Sequence, residues 1–135
     1  MVSELEHLQS SIGASLERPV HEPWTLDPAH YTLPEYYALE VERIWKKEWI
    51  CVGHVKEVPD VGDFYSIQLV NEPIVIVHGA DAQIRALSTV CRHRLMLVVE
   101  PGTRGKTSGF VCPYHRWAYK LDGQLKSALH MERHA

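Results

Sequence analysis

The sequence lacks the features that would direct it to a membrane or to a nucleic acid. It has no apolar run of the roughly 18 residues that a membrane span needs. Residues 1–13 have neither the basic start nor the apolar core of a signal peptide. No block of like charges occurs, and the net charge is −3. These absences argue against membrane or nucleic-acid binding as a main role and predict a cytoplasmic protein.

Cysteine is also scarce, with three in 135 residues. Two of them stand in short motifs with histidine, which leaves too few for a disulfide framework and indicates a reducing compartment. The third, Cys51, lies in an apolar run and is predicted to be a small buried residue. With 45% hydrophobic and 23% charged residues, the composition is that of one folded domain that buries roughly two-thirds of its unfolded surface.

Two motifs each combine one cysteine with one histidine: Cys91-Arg92-His93 and, after residues 94–111, Cys112-Pro113-Tyr114-His115. Together they supply two thiolates and two imidazoles. Thiolates suit ferric iron bridged by sulfide, whereas a neutral imidazole removes negative charge from its iron and raises the reduction potential. This is the ligand set of a [2Fe-2S] cluster in which two histidines replace two cysteines. The same ligand types also suit a tetrahedral zinc ion.

The two motifs together resemble those of Rieske [2Fe-2S] proteins, in both residue type and spacing. Arg94 after the first histidine, Trp117 two positions after the second, and the downstream Leu121-Asp122-Gly123 narrow the resemblance. More narrowly, the sequence resembles the alpha subunits of Rieske non-haem iron ring-hydroxylating oxygenases. The resemblance covers roughly residues 32–131 and predicts a mainly β fold with a Rieske-type antiparallel sandwich or small barrel.

This resemblance implies a role for the residues of both motifs. Cys91 and Cys112 would bind one iron, and His93 and His115 would bind the other, with His115 facing the electron acceptor. No residue is assigned a catalytic role. The surroundings of the cluster would be formed by three further residues: Arg94, Tyr114 and Trp117.

Four positions distinguish this sequence from other Rieske proteins. Met96 and Tyr114 stand where the proteins of quinol-oxidising membrane complexes carry a disulfide, so that disulfide is expected to be absent. The reduction potential is then expected near the low end of the roughly −150 to +300 mV range. Leu95 and Arg116 stand where the oxygenases commonly have glycine, which is typical of a positive φ or of close backbone approach. Leu95 either strains its loop or occupies a permissive position. Arg116 either favours the reduced cluster by its charge or is a solvated loop-tip residue.

The resemblance also implies partners. In the oxygenases, electrons from NAD(P)H pass through a reductase, sometimes a ferredoxin, to the cluster. They then reach a mononuclear iron in a catalytic domain of a neighbouring subunit, often within a trimer, which hydroxylates an aromatic ring or a similar C–H substrate. No Asp-x-x-His-x-x-x-x-His pattern for that iron occurs here. We therefore expect a shortened alpha subunit that transfers electrons but lacks the catalytic iron, with a slight preference for a basic donor because of the net charge.

Two other functional classes remain open at this point. A stand-alone Rieske ferredoxin would carry electrons without taking part in catalysis, but the sequence before Trp49 favours the oxygenase. A zinc-bound interaction module would use the same four ligands without redox chemistry.

The sequence before the motifs predicts an arm and a helix. Residues 4–17 could form a short helix, but several prolines and a glycine favour an extended arm over residues 1–31. Thr32-Leu33-Pro34-Glu35 has the form of a capping box, and a helix is predicted over residues 32–48. Its apolar stripe is predicted to face the core: Tyr37, Val41, Ile44, Trp45 and Trp49.

Short β-runs separated by turns follow and define the predicted Rieske domain over residues 49–131, with a tail at 132–135. Such a sheet would present two ligand loops from a rigid scaffold. The predicted strands are 50–54, 64–70, 74–78, 83–88 and 108–111, with a closing hairpin of 117–120 and 125–128.

The remaining histidines are predicted to have ordinary roles. His21 and His30 are expected at the surface, and His54 and His78 at strand ends are expected at the surface or in hydrogen bonds. His130 and His134 do not form a zinc helix motif, because Glu132 stands in the third place rather than the second.

Overall fold

The computed structural model describes residues 3–19, 21, 25–129 and 131. The chain divides into two compact units, Met1–Ile50 and Cys51–Ala135. The first is helical, and the second consists of antiparallel strands, as the mainly β prediction requires. Among the described residues, no helix has the length and apolar character needed to cross a membrane. The predicted pair of His130 and His134 lies outside the described residues.

The first unit begins with helix α1 (Glu4–Leu16), where an extended arm was predicted. Ser3 fixes its start, because the Ser3 hydroxyl accepts a hydrogen bond from the Glu6 N–H and the Glu6 carboxylate accepts one from the Ser3 N–H. These two bonds form a capping box. Leu8 is buried on the inner face of the helix. The prediction failed because it weighted the prolines that follow over this local cap.

His30 in α2 (Ala29–Thr32) ties α1 to the next helices. It is buried, which corrects its prediction as a surface residue. Its Nδ1 lies 3.0 Å from the Asp27 carbonyl oxygen and its Nε2 lies 3.1 Å from the Leu8 carbonyl oxygen. The imidazole ring also meets the Tyr36 ring edge-on at 4.9 Å between centroids. Burial is tolerated because both ring nitrogens have polar neighbours.

Helix α3 (Pro34–Glu40) carries proline in its first turn, as predicted, but it has no capping box. Thr32 belongs to α2, and its hydroxyl donates to the Pro28 carbonyl oxygen at 3.2 Å. The Thr32 side chain is therefore engaged with the preceding turn and does not cap α3.

A π-helical turn, Val41–Trp45, follows α3 directly. The Lys46 N–H donates to the Val41 carbonyl oxygen five residues earlier, which is the hydrogen bond that defines a π-helix. Val41 is buried, but Trp49 is fully exposed. The prediction of a core-facing stripe is therefore wrong for most of its members. In α3 the buried tyrosine is Tyr36 rather than Tyr37, and the π turn rotates the residues after Val41 off the α-helical face. Three further members are 40–53% exposed: Tyr37, Ile44 and Trp45.

The second unit begins without the strand predicted at 50–54. Cys51 is exposed, which corrects its prediction as a buried residue. A 3-10 turn follows at Val55–Glu57, where the His54 Nδ1 accepts a hydrogen bond from the Lys56 N–H. The apolar run at residues 50–54 therefore did not predict a strand correctly.

A four-stranded antiparallel sheet forms next, in the order β3-β2-β1-β4. Three of its strands confirm predictions, whereas β4 was not predicted because its sequence Arg-Gly-Lys carries no apolar signal. The strands are β1 (Asp63–Leu69), β2 (Glu72–His78), β3 (Ile84–Ser88) and β4 (Arg104–Lys106). His78 at the end of β2 bonds through Nδ1 with the Val58 carbonyl oxygen at 2.9 Å, as a strand-end histidine was expected to do.

A three-stranded sheet closes the unit in the order β5-β6-β7. Its last two strands are the predicted closing hairpin, which turns at Gly123 with a φ of 85°. The strands are β5 (Phe110–Val111), β6 (Ala118–Tyr119) and β7 (Leu125–Ser127).

The main core lies between these two sheets. Val75 and Val77 of β2 pack with Phe110 and Leu121, while Ile76 points to the opposite face with Val58 and Tyr65. Strand β2 is therefore buried on both faces, as its continuous apolar run predicts. This core fixes the strand ends from which the cysteine-containing loops emerge.

Candidate metal centre

The first ligand loop, residues 91–96, follows β3 and is closed by two backbone hydrogen bonds. The Leu95 N–H donates to the Cys91 carbonyl oxygen at 3.0 Å, and the Cys91 N–H donates to the Met96 carbonyl oxygen at 2.9 Å. Both backbone groups of Cys91 are thereby bound within its own loop.

The second ligand loop, residues 112–117, joins β5 to β6 and repeats the same pattern. The Arg116 N–H donates to the Cys112 carbonyl oxygen at 3.1 Å, and the Cys112 N–H donates to the Trp117 carbonyl oxygen at 2.8 Å. The two loops share one backbone design, although the histidine stands two residues after the cysteine in the first and three after it in the second.

Leu95 and Arg116 occupy equivalent places in these loops, and both have left-handed backbone conformations. Their φ angles are 55° and 61°. This is the conformation for which glycine is favoured, and a side chain there costs about 1–2 kcal/mol. The chain therefore keeps two side chains where the loop geometry favours none, which supports the strained-loop interpretation of Leu95.

The two loops bring Cys91 and Cys112 together in the interior, where each is 1% exposed. Both are free thiols. Burial raises the pKa of Cys91, but the Tyr119 hydroxyl, the backbone N–H groups of His93 and Arg94, and the Cys112 thiol together hold it below its usual value. The pocket therefore stabilises a thiolate, which is the form that binds iron. The Arg94 side chain itself is exposed.

Tyr119 is a site residue that the sequence analysis missed. Its hydroxyl lies 3.1 Å from the Cys91 Sγ and accepts a hydrogen bond from the Arg92 N–H at 3.2 Å. Because the oxygen already accepts from Arg92, the hydroxyl hydrogen can donate to the sulfur. Burial and the bond to Cys91 raise the Tyr119 pKa, so the hydroxyl keeps its hydrogen. The only sequence signal was its place beside Ala118 in the closing hairpin, on the core side.

The two motif histidines form a second pair. The ring centroids of His93 and His115 lie 4.7 Å apart, with an interplanar angle of 66°. Trp117 stacks on His93 at 4.7 Å and 6°, and Tyr114 lies against His115 at 3.7 Å and 32°. The aromatic residues that the sequence placed around the centre thus limit the freedom of both imidazoles.

The donor set contains the two thiols and two imidazoles that a [2Fe-2S] cluster with two histidine ligands needs. Among the described residues, no three His, Cys, Asp or Glu side chains converge where a single ion would need them. The two buried thiols contact each other, and the two imidazoles lie next to each other. A [2Fe-2S] centre with one Cys-bound iron and one His-bound iron needs this division, whereas tetrahedral zinc needs all four donors around one point.

Known proteins of similar sequence also support a [2Fe-2S] centre. The Rieske [2Fe-2S] domain family matches residues 48–134. The glycine betaine monooxygenase oxygenase subunit of Chromohalobacter salexigens is 39% identical over 101 residues, which cover 75% of this chain and 22% of that subunit.

Solved structures also resemble the chain. Naphthalene 1,2-dioxygenase from Rhodococcus sp., bound to indole, gives a TM-score of 0.78 at 31% identity and covers 95% of this chain and 28% of its own. A quaternary ammonium Rieske monooxygenase gives a TM-score of 0.73 at 37% identity, and the match covers 79% of this chain and 29% of that one. Its structure was described in connection with carnitine oxidation by gut microbiota and inter-subunit electron transfer. The chain thus spans between 22% and 29% of the length of these relatives.

Proposed function

Because the chain belongs to the Rieske [2Fe-2S] domain family, we propose that it serves as the electron-transfer part of a Rieske oxygenase. Its matched region corresponds to the N-terminal Rieske part of oxygenase alpha subunits. The observation that carries the proposal is the pairing of buried thiols and adjacent imidazoles by two loops of one design.

Four residues are proposed as the ligands: Cys91 and Cys112 on one iron, His93 and His115 on the other. When bound, the cluster supplies a single centre that accepts and releases one electron. The protein holds the two sulfur atoms in a buried pocket and directs one hydrogen bond, from the Tyr119 hydroxyl, at the Cys91 sulfur. Trp117 and Tyr114 keep the imidazole rings in place by contact.

The function requires an electron donor and an electron acceptor. We propose a reductase or ferredoxin as the donor and a catalytic domain with a mononuclear iron, in the same or a neighbouring subunit, as the acceptor. Inter-subunit electron transfer is described for one of the similar monooxygenases. The three free cysteines support a reducing compartment such as the cytoplasm.

The substrate was expected to be an aromatic ring or a similar C–H compound, and the relatives divide between two chemistries. One acts on glycine betaine and another on quaternary ammonium compounds such as carnitine, whereas a third is a naphthalene dioxygenase. We therefore propose an O2-dependent oxygenase, and a quaternary ammonium substrate is as well supported as an aromatic one.

The test is anaerobic purification or reconstitution of the 135-residue chain with iron and sulfide. The proposal expects about two iron and two sulfide per chain and a rhombic EPR signal with a low average g after reduction by dithionite. A colourless protein with zinc, or with no metal, would contradict it.

Matched cysteine variants test the ligand assignment. Cys112→Ser should abolish the EPR signal, whereas Cys51→Ser removes an exposed thiol outside the two loops and should leave iron content and signal unchanged. His115→Cys should retain iron and lower the potential, because a thiolate replaces a neutral imidazole. An unchanged potential would remove His115 from the ligand set.

A further inference from the structure

A cavity of about 170 Å³ opens beside the main core of the second unit. Protein interiors are close-packed and rarely keep voids much larger than a water molecule. An apolar cavity of roughly 150 Å³ is large enough to hold benzene. The space therefore suits an apolar group of the size of one aromatic ring. Its apolar wall comes from both sheets and from the segment before β4: Val75, Leu87, Val98, Val99 and Phe110.

Two basic side chains line the same cavity. Arg92 and Lys120 are both exposed, so they lie where the cavity meets solvent. Neither forms an ion pair within the described part of the chain. The Lys120 Nζ donates instead to the neutral Gln124 Oε1 at 3.1 Å. None of the described residues that line the cavity is acidic, so its mouth carries two positive charges without a paired carboxylate.

Ser88 adds a hydroxyl donor at the cavity. Its oxygen accepts a hydrogen bond from the Val90 N–H at 3.3 Å, which leaves the hydroxyl hydrogen to donate to a ligand oxygen. A carboxylate accepts several hydrogen bonds, and those from arginine and lysine are the strongest. The mouth of the cavity therefore has the donors that a carboxylate needs, and the interior has room for the ring that carries it.

We propose that this cavity binds a small carboxylate with one aromatic ring, the ring in the apolar interior and the carboxylate between Arg92 and Lys120. Small-molecule sites generally combine an apolar wall with a few polar groups that fix the orientation of the ligand. The site goes beyond the proposed function, because electron transfer by itself requires no such ligand. No covalent bond is formed or broken when the carboxylate binds.

Tyr119 connects the cavity with the cysteine side of the centre. Its side chain lines the cavity, and its hydroxyl lies 3.1 Å from the Cys91 Sγ. Arg92 directly follows Cys91 in the sequence. A carboxylate held by Arg92 is therefore near the cysteine sulfur, and the apolar wall of the cavity weakens dielectric screening between the two.

A bound carboxylate lowers the reduction potential, a consequence that rests on the proposed [2Fe-2S] cluster. One-electron reduction adds negative charge, which the carboxylate repels, so the oxidised protein binds the ligand more tightly. By linkage, the ligand favours the oxidised cluster by the same factor. A factor of about three corresponds to a potential lower by roughly 30 mV, because a factor of ten corresponds to about 59 mV for one electron.

Calorimetric titration of the reconstituted 135-residue chain in its oxidised form tests the site with three probes of one ring each. Benzoate carries the negative charge, benzyl alcohol is neutral, and benzylammonium carries the opposite charge. We expect benzoate to bind at least roughly tenfold more tightly than benzyl alcohol, and benzylammonium to show no saturable binding. Equal binding of benzoate and benzyl alcohol, or no saturation with millimolar benzoate, would overturn the proposal.

Lys120→Gln tests the role of charge at the mouth. It should weaken benzoate binding about threefold to tenfold and leave benzyl alcohol binding unchanged, whereas Lys120→Arg should bind benzoate nearly as the wild type does. Lys126→Gln is the matched control, because Lys126 is an exposed lysine of β7 outside the cavity wall. Wild-type affinity for benzoate in Lys120→Gln would contradict the site.

Val99→Phe tests the apolar interior, because the larger side chain reduces the space for a ring. It should weaken benzoate and benzyl alcohol binding alike, and unfolding measurements show whether the variant is folded. Unchanged binding of both probes by the folded variant would place them outside the cavity. If Val99→Phe does not fold, the comparison of Lys120→Gln with Lys126→Gln still decides the proposal.

A redox titration followed by EPR, with and without saturating benzoate, tests the link to the centre. The potential should fall with benzoate and remain unchanged with benzyl alcohol, and an unaltered potential with bound benzoate would refute the link. Calorimetry does not require the cluster, so the two proposals can fail separately. A wild-type chain that forms no cluster would refute the proposed function, whereas an intact cluster without benzoate binding would refute only the carboxylate site.

Discussion

The Tyr119 hydroxyl donates toward the Sγ of Cys91 at 3.1 Å, while the same oxygen accepts from the Arg92 N–H. Reduction of a cluster adds negative charge to its ligands, so a donor at the sulfur favours the reduced form. Tyr119→Phe should therefore lower the reduction potential by roughly 60 mV, the change that about 1.4 kcal/mol produces for one electron.

A redox titration followed by EPR measures this change. Iron content should remain that of the wild-type protein, because the tyrosine is not a proposed ligand. Tyr114→Phe is the matched control, because it removes the hydroxyl of an exposed tyrosine and keeps the ring against His115. Equal potentials in the wild type and Tyr119→Phe would show that the contact does not tune the centre.

Stacking between Trp117 and His93 should slow the loss of metal. Trp117→Leu keeps apolar bulk but removes a parallel ring 4.7 Å from the imidazole. A stacked pair is worth about 1 kcal/mol, so iron release to a chelator should become roughly fivefold faster. Trp117→Phe should retain most of the protection, and Trp49→Ala, at a fully exposed position, should not change the rate. Equal release from the Leu and Phe variants would exclude a role for stacking.

The left-handed conformation of Leu95 predicts an unusual gain from glycine. Leu95→Gly should raise the free energy of unfolding by up to about 1 kcal/mol, because glycine removes the positive-φ penalty and the exposed leucine contributes little burial. Arg94→Gly is the control: this neighbour has no positive φ, so glycine there should destabilise. Denaturant unfolding measures the free energy of unfolding of both variants. A lower value for Leu95→Gly than for the wild type would show that the backbone of Leu95 is not strained.

His30 should hold α1 in place within the first unit. His30→Phe keeps a ring beside Tyr36 but loses the contacts with the Asp27 and Leu8 carbonyl oxygens. With an expected loss of about 1–3 kcal/mol, amide hydrogen exchange in residues 4–16 should accelerate about tenfold or more. His7→Phe changes an exposed histidine of helix α1 and should leave the hydrogen exchange of that helix nearly unaltered. If both variants exchange alike, His30 does not anchor the helix.

The parts of the fold that the sequence predicted are those encoded by neighbouring residues. Strand β2 follows from one continuous apolar run, and the closing hairpin follows from the turn at Gly123. The two Cys-His motifs are likewise local. Their spacing was enough to propose a ligand set, and the resemblance they carry marked Leu95 and Arg116 as positions where the oxygenases commonly have glycine.

The parts that it missed depend on contacts distant in sequence or on unusual winding. Tyr119 meets Cys91 across 28 positions, and His30 meets Leu8 across 22. The residues adjacent in sequence to Tyr119 and His30 give no sign of these contacts. The π turn after Val41 follows no 3.6-residue period, so a periodic apolar stripe predicted the wrong buried face.

The repeated backbone design of the ligand loops has a kinetic consequence. In each loop, the N–H and the carbonyl oxygen of the cysteine are both bound to residues four and five positions later. The cysteines therefore cannot shift without breaking bonds on both sides. We expect a small reorganisation energy for one-electron exchange, because a preorganised site needs little rearrangement when its charge changes. This loop geometry would favour rapid electron self-exchange even when the driving force between partners is slight.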